Sequence, residues 1–205
     1  MPAIKLYYSP TACSLVPHIL LRKAGLEFTL IKEQIGHFSP EFLALNPKKQ
    51  IPVLIIDDEV ITEVPAIVTV IANLVPEQQF LGTTPIEIAR SYEWMMWLSA
   101  ILHTKGFGLS LRPQRFSDDE SHFEGLKKKG LEIVRECYST IDEKLKGVHA
   151  VGDTITAVDL YLYTFYLWAP MIGLSMDSYP KYTALVEYIG AQESTIAARA
   201  AEADV

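Results

Sequence analysis

The sequence predicts two parts, an α/β domain with the element order βαβαββα followed by an all-α helical domain. Three observations predict it. Short β-branched and aromatic runs alternate with helix-period segments over the first eighty residues, and strand signals nearly vanish after them. Between the two lies Pro76-Glu77-Gln78-Gln79-Phe80-Leu81-Gly82-Thr83, a polar stretch carrying both proline and glycine. A chain of 205 residues, 49% apolar and 21% charged, is long enough to build cores without disulfides. The expected division is 1–78 for the α/β domain, 79–86 for the linker and 87–205 for the helical domain.

Each element has its own local cause. Ile4 to Tyr8 is an apolar run with two aromatics, closed by the turn residues Ser9-Pro10-Thr11. Leu15 to Leu26 has helical spacing, with Arg22 and Lys23 in the last turn and Gly25 as its stop. Phe28 to Lys32 reads as the second strand. Ser39-Pro40-Glu41 is an N-cap with proline at the first helical position, and Pro47 ends that short helix. Val53 to Ile56 and Val60 to Thr62 flank Asp57-Asp58-Glu59 as a hairpin, and a helix follows from about Pro65 to Asn73. In the second part, the capping box Thr84-Pro85-Ile86-Glu87 opens a long helix reaching toward Leu111. Ser117-Asp118-Asp119-Glu120 opens another that ends near Leu145. A third starts at the box Thr156-Ala157-Val158-Asp159, with Ile155 positioned to staple onto Leu160. Two shorter helices, near 180–190 and 194–203, finish the chain.

Composition narrows the function classes. Acidic residues outnumber basic ones by 25 to 18, a net charge of −7 carried by both parts, so no nucleic-acid partner is expected. The Lys127-Lys128-Lys129 run faces several directions on a predicted helix and reads as solvated surface. The N-terminal residues lack an apolar h-region with a basic flank. The longest apolar stretch, Leu160 to Ile172, is far short of the roughly 18–20 residues that span a bilayer. The expected location is the cytoplasm, with no membrane partner. The 2 cysteines, Cys13 and Cys137, cannot make a disulfide framework or a zinc site, and the 5 histidines show no metal-ligand spacing, so no metal is expected.

Cys13 is the first candidate for chemistry. It follows a strand and begins a helix, where unpaired amides and the helix dipole favour a thiolate. The competing reading is a small buried hydrophobe, and position alone divides the two evenly. Ser14 either donates to a thiolate bound beside it or caps the helix. The absence of Cys-x-x-Cys excludes a dithiol cycle within one chain. Gln50-Ile51-Pro52-Val53 is the second candidate, because a cis Ile51-Pro52 bond would turn the Ile51 backbone toward a peptide-like ligand; a trans turn is the alternative. Glu63-Val64-Pro65 is the third, a strand end meeting a helix start that a ligand carboxylate or water would complete, Val64 being a poor N-cap. His103 and Lys105 stand in Leu102-His103-Thr104-Lys105-Gly106-Phe107-Gly108, late in the long helix. Glycines cost a helix about 1 kcal/mol each, so Gly106 and Gly108 point to close backbone approach or a break. Cys137 and the aromatics Tyr92, Trp94, Trp97, Tyr161, Tyr163, Tyr166 and Trp168 read as helical-domain packing.

These segments together resemble a cytosolic glutathione S-transferase. Lys5-Leu6-Tyr7-Tyr8-Ser9-Pro10-Thr11-Ala12-Cys13-Ser14 resembles the bacterial beta class, whose first strand runs into a Pro-x-Ala-Cys-Ser turn. Asn46-Pro47-Lys48-Lys49-Gln50-Ile51-Pro52-Val53-Leu54 resembles the family's Asn-Pro-x-Gly-Gln-Val-Pro-x-Leu signature. Ile61-Thr62-Glu63-Val64-Pro65-Ala66-Ile67 resembles its Leu-x-Glu-Ser-x-Ala-Ile segment, and Thr156 to Asp159 its helical capping motif. The resemblance implies a thioredoxin-like first domain, a cis Pro52, and glutathione as co-substrate. It implies that Gln50, Ile51 and Pro52 hold the cysteinyl part through Ile51's backbone, and that Glu63 and Val64 hold the γ-glutamyl end. Cys13, with Ser14 beside it, would meet the glutathione sulfur, either stabilising its thiolate or forming a mixed disulfide. His103 and Lys105 fall where the class carries a His-Lys pair before Gly-Phe, but Thr104 separates them here. Val64 replaces the usual serine, leaving only backbone to bind.

The expected activity is conjugation of glutathione to small apolar electrophiles, as in detoxification, or glutathione-dependent thiol-disulfide exchange with a disulfide partner. The electrophile is expected near Trp97, Phe107 and Leu111, and the chain is expected to form a homodimer. The alternative is a glutathione-fold binding or assembly module without turnover. A monothiol glutaredoxin-like reductase is a third reading, which the long helical half counts against.

Overall fold

The computed structural model describes residues 2–203; Met1, at the start of the expected first domain, and Asp204 and Val205, at the end of the second, lie outside the described residues. Four strands, β1 (Ile4–Tyr8), β2 (Thr29–Lys32), β3 (Val53–Ile56) and β4 (Glu59–Thr62), form one mixed sheet in the order β2-β1-β3-β4. β2 runs parallel to β1 after the crossover helix α1 (Leu15–Lys23), whereas β3 and β4 are antiparallel. With α2 (Pro40–Leu45) and α3 (Val64–Leu74), this is the expected βαβαββα order and a thioredoxin-like domain.

Pairing fixes which side chains share a face. Leu6 lies opposite Leu54 and Tyr7 opposite Val53, and successive side chains alternate across the sheet. Tyr7 and Val53 pack with Phe42 of α2, along with Phe38, Leu45 and Ile51. The start of α2 is held twice: Ser39 Oγ accepts from the Phe42 amide at 3.1 Å, and the buried Glu33 carboxylate accepts from the Ser39 amide at 2.9 Å.

The chain divides into two compact units, one running to Leu81 and resuming at Gly190, the other spanning Gly82–Ile189. The final helix, expected in the helical domain, thus belongs with the first unit. α9 (Glu193–Ala203) buries Thr195, Ala198 and Glu202 and packs on α1. Helical period marks such a segment as a helix without saying which core receives its buried stripe.

The second unit begins with α4 (Pro85–Trp97). Its capping box is present: Thr84 Oγ1 accepts from the Glu87 amide at 3.2 Å and Glu87 Oε2 from the Thr84 amide at 3.1 Å. Hydrogen bonds to Thr83, more than those to Thr84, hold the Glu87 carboxyl below its ordinary pKa. α4 continues through a π-helical stretch, Leu98–Phe107, into α5 (Gly108–Leu111), so the expected long helix to Leu111 is one rod with a wide segment in it. α6 (Phe123–Lys144) follows two 3-10 turns, Pro113–Arg115 and Glu120–His122. α7 (Ala157–Tyr166) buries every residue but its last, the pattern of a helix surrounded by others. Two tyrosines bond to it from inside the core, Tyr138 Oη donating to the Phe165 carbonyl and Tyr182 Oη to the Leu162 carbonyl, each at 2.6 Å. α8 (Pro180–Gly190) completes this set. Among the described residues no helix is long and apolar enough to cross a membrane.

Two contacts shape the unit. At Gly130 of α6 a Cβ atom would stand 2.6 Å from the Ser110 amide and 2.7 Å from the Gly106 carbonyl, so the glycine lets α6 touch the rod's backbone. At the start of α7, the buried Asp159 carboxylate accepts from the amides of Thr156 and Ala150, both at 2.7 Å. Burial outweighs these bonds and raises the Asp159 carboxyl to about 6.

Candidate functional site

The β1–α1 turn carries the first candidate. Thr11 adopts φ 64°, the left-handed region, and the chain then enters α1. Cys13 is buried, and its thiol donates to the Ile51 carbonyl at 3.4 Å. Ser14 is fully buried too. Its hydroxyl donates to the Ser9 carbonyl at 3.1 Å and accepts from the Ser9 amide at 3.2 Å. The hydroxyl expected to face a thiolate is therefore spent on closing the turn. Nor does it cap α1.

The Ile51–Pro52 bond is cis, as the resemblance implies. Ile51 is half-buried, Pro52 buried and Gln50 exposed. Asn46, 2% exposed, organises the loop that carries them: its Nδ2 donates to the Gln50 carbonyl at 2.8 Å and its Oδ1 accepts from the Lys48 amide at 3.2 Å. The Ile51 carbonyl, expected to turn toward a ligand, is the group that receives the Cys13 thiol. The turn and the loop thus meet at a cysteine.

At the β4–α3 junction Glu63 has φ 69°, and no side chain caps the helix behind it. Val64 is buried at the first helical position. Lys48 reaches across from the neighbouring loop, its Nζ donating to Thr62 Oγ1 at 2.8 Å and to Glu63 Oε1 at 2.9 Å. Cys13, Ile51, Glu63 and Val64 all belong to the first unit; His103 and Lys105 belong to the second.

A buried network that no sequence motif marks runs from α1 to the Cys13 turn. His18 of α1 is fully buried. Arg22 Nε, always a donor, points at His18 Nε2 at 2.9 Å, which makes that nitrogen the acceptor. Nδ1 is then the donor to Glu202 Oε1, also at 2.9 Å. The other carboxylate oxygen accepts from the Thr11 amide at 3.3 Å. Burial, and after it the Glu202 charge, holds the Tyr8 phenol above its ordinary pKa. His18 and Arg22 at i and i+4 were a legible pair; their partner lies 184 residues from His18.

The helical unit places its candidates on the wide segment. A π-helix accommodates an additional residue per turn, which absorbs Thr104 between His103 and Lys105; its Oγ1 donates back to the Ser99 carbonyl at 2.8 Å. His103 is half-buried, set edge-on to Trp168 and Phe165 at centroid distances of 5.1 and 5.5 Å, and Lys105 is exposed. Phe107, expected beside an electrophile, is core: 1% exposed, it stacks on Phe165 at 5.9 Å. Trp97 is half-buried under Lys144 Nζ at 5.9 Å, and Leu111 is exposed. Cys137 is buried, and burial pushes its thiol up to about 11, so it packs, as expected.

Two family models match the chain. Residues 2–73 match the family model described as the glutathione S-transferase N-terminal domain, and residues 101–193 the one for the C-terminal domain. The glutathione S-transferase GstA of Escherichia coli O157:H7 is 32% identical over 192 residues, covering 90% of this chain and 91% of its own. A sphingomonad glutathione S-transferase solved with glutathione is 30% identical, with a TM-score of 0.87 over 98% of this chain and 100% of that one. The beta class enzyme of Sphingomonas chungbukensis is 29% identical, with a TM-score of 0.86 over 98% and 100% of the two chains.

Proposed function

Because this chain belongs to the glutathione S-transferase family, and resembles its bacterial beta class, we propose that it binds glutathione on its first unit and directs the glutathione sulfur into reaction beside Cys13. The supporting observation is the meeting of the Cys13 thiol with the Ile51 carbonyl next to a cis proline. A cysteinyl group lying along Ile51 would bring its sulfur to Cys13, and Glu63 with Val64 would take the γ-glutamyl end. In conjugation, the glutathione thiolate attacks an electrophilic carbon and displaces a leaving group such as chloride, the thiol proton passing to solvent. In exchange, the Cys13 thiolate attacks a sulfur of glutathione disulfide; that S–S bond breaks, a mixed disulfide forms, and one glutathione leaves as a thiolate that takes up a proton. His103 and Lys105 remain the helical unit's candidates, to be tested by alanine substitution. Ser14 holds the turn.

Mass spectrometry of the protein incubated with glutathione disulfide tests the exchange step. One glutathionyl unit is expected on the wild type and none on Cys13→Ala; an undiminished adduct on the variant removes Cys13 from the reaction. Turnover of chlorodinitrobenzene measures conjugation separately.

One observation favours a second reading, a binding or assembly module without turnover. The Ile51 carbonyl already receives the Cys13 thiol, and no hydroxyl stands at Val64. Retention on immobilised glutathione with no turnover of chlorodinitrobenzene or hydroxyethyl disulfide would select it. A homodimer belongs to either reading. The outer side of α4 leaves Ile86 and Met96 more than half exposed, and light scattering of the purified chain reads the mass.

A further inference from the structure

We propose that Lys48 recognises the α-carboxylate of glutathione's γ-glutamyl group, and so selects for ligands that carry it; this rests on the glutathione reading above. The γ-glutamyl end is an α-amino acid headgroup, one ammonium and one carboxylate on the same carbon. At the β4–α3 junction, Glu63 supplies a carboxylate suited to the ammonium. Val64 supplies no hydroxyl for the ligand's carboxylate, and no cation stands in the sequence between Val60 and Leu74. Lys48 brings one from outside that segment. Its Nζ sits 2.8 Å from Thr62 Oγ1 and 2.9 Å from Glu63 Oε1. An ammonium has three N–H donors, and these two contacts use two of them. The third remains for a ligand oxygen, in a bond with charge on both partners.

The ammonium is also aimed. The Lys48 amide is held by Oδ1 of the buried Asn46, and Thr62 and Glu63 accept from the far end of the side chain. Lys49 adopts φ 58°, turning the chain immediately after Lys48 toward Gln50 and Ile51. A cation and an anion 2.9 Å apart complement a zwitterion. A carboxylate arriving there gains Lys48, while an ammonium arriving there gains Glu63. Both side chains are more than half exposed, so the pair is open to a ligand and its own mutual attraction is weak.

The test is a cycle of two proteins and two ligands, read by titration calorimetry. The ligands are glutathione and 4-aminobutyryl-cysteinyl-glycine, which keeps the amine and the rest of the chain but lacks the α-carboxylate. Lys48→Met should raise the Kd for glutathione about five- to tenfold and leave that for the decarboxylated ligand unchanged, and Lys48→Arg should restore most of the loss. Equal weakening of both ligands by Lys48→Met would make Lys48 a brace for the loop and overturn the proposal, as would an unchanged Kd for glutathione. A wild-type protein that binds neither ligand would remove the glutathione reading itself, and this inference with it. That failure appears before any variant is made, so the two are distinguishable.

Discussion

Thr11 and Glu202 stand 191 positions apart and share a hydrogen bond, and between them His18 has no solvent to turn to. Glu202→Ala therefore leaves the His18 Nδ1–H buried without an acceptor. The expected loss is about 1–3 kcal/mol of unfolding free energy, together with faster labelling of Cys13 by a thiol reagent as the turn loosens. Urea denaturation and labelling kinetics check the two effects, and unchanged labelling would show that the turn stands without the network. Asn46→Ala should cost a similar amount, because it strips partners from the Gln50 carbonyl and the Lys48 amide at a 2% exposed position. It should also weaken glutathione binding, which Glu202→Ala reaches only through the turn. Cys13, Ile51, Glu63 and Val64 are legible as candidates in local pattern. The roles of His18, Asn46 and Glu202 are not, because a buried polar residue is recognised by its partners, and those are set by tertiary contact.

Among elements, the contact of α6 with the rod that includes α5 depends on one missing methyl group. Gly130→Ala sets a Cβ 2.5 Å from Ser110 Oγ and also against backbone, 2.6 Å from the Ser110 amide and 2.7 Å from the Gly106 carbonyl, which a side-chain rotation cannot relieve. A destabilisation of about 2–3 kcal/mol is expected, visible as a lowered Tm, with Gly125→Ala as the control in open space. The start of α7 makes a pH prediction. Burial raises the Asp159 carboxyl to about 6 in the folded chain, above the unfolded value of about 4, so the folded state holds more protons between those limits. Its contribution to stability is complete below pH 4 and is lost as pH rises through 6. His149 lies 4.0 Å away with its Nδ1 buried and without a hydrogen-bond partner, and burial lowers its pKa, which gives the opposite slope. Comparing His149→Asn with His149→Asn/Asp159→Asn isolates the carboxyl. The first should lose about 2–3 kcal/mol relative to the second between pH 4 and pH 7, and a flat difference would refute it. The capping box was legible at this element, since it is written within four residues. The depth of Asp159 was not, because it is set by what packs over it.

For the molecule as a whole, the chain returns to the unit it began with. A chain ended after Ile189 lacks α9 and with it Ala198 and Glu202, both buried in the first unit. Hydrogen exchange at the Thr11 amide should then rise, with weaker protection along α1, while α6 and α7 keep theirs. Adding residues 190–203 as a peptide should restore protection. If α1 is equally protected without α9, the final helix is an appendage and not part of that core.

Elements written in neighbouring residues were determined by the sequence itself: the strand–helix alternation and the boxes at Thr84 and Thr156. Propensity, capping and pleat act over a few residues, so they can be read along the chain. Tertiary structure alone decided that α9 joins the first unit, that Phe107 is core, that Ser14 closes a turn, and that Lys48 meets Glu63. Each of these depends on which surface a residue finally meets, and burial and hydrogen-bond partners arise between segments whose distance along the chain says nothing of their distance in space.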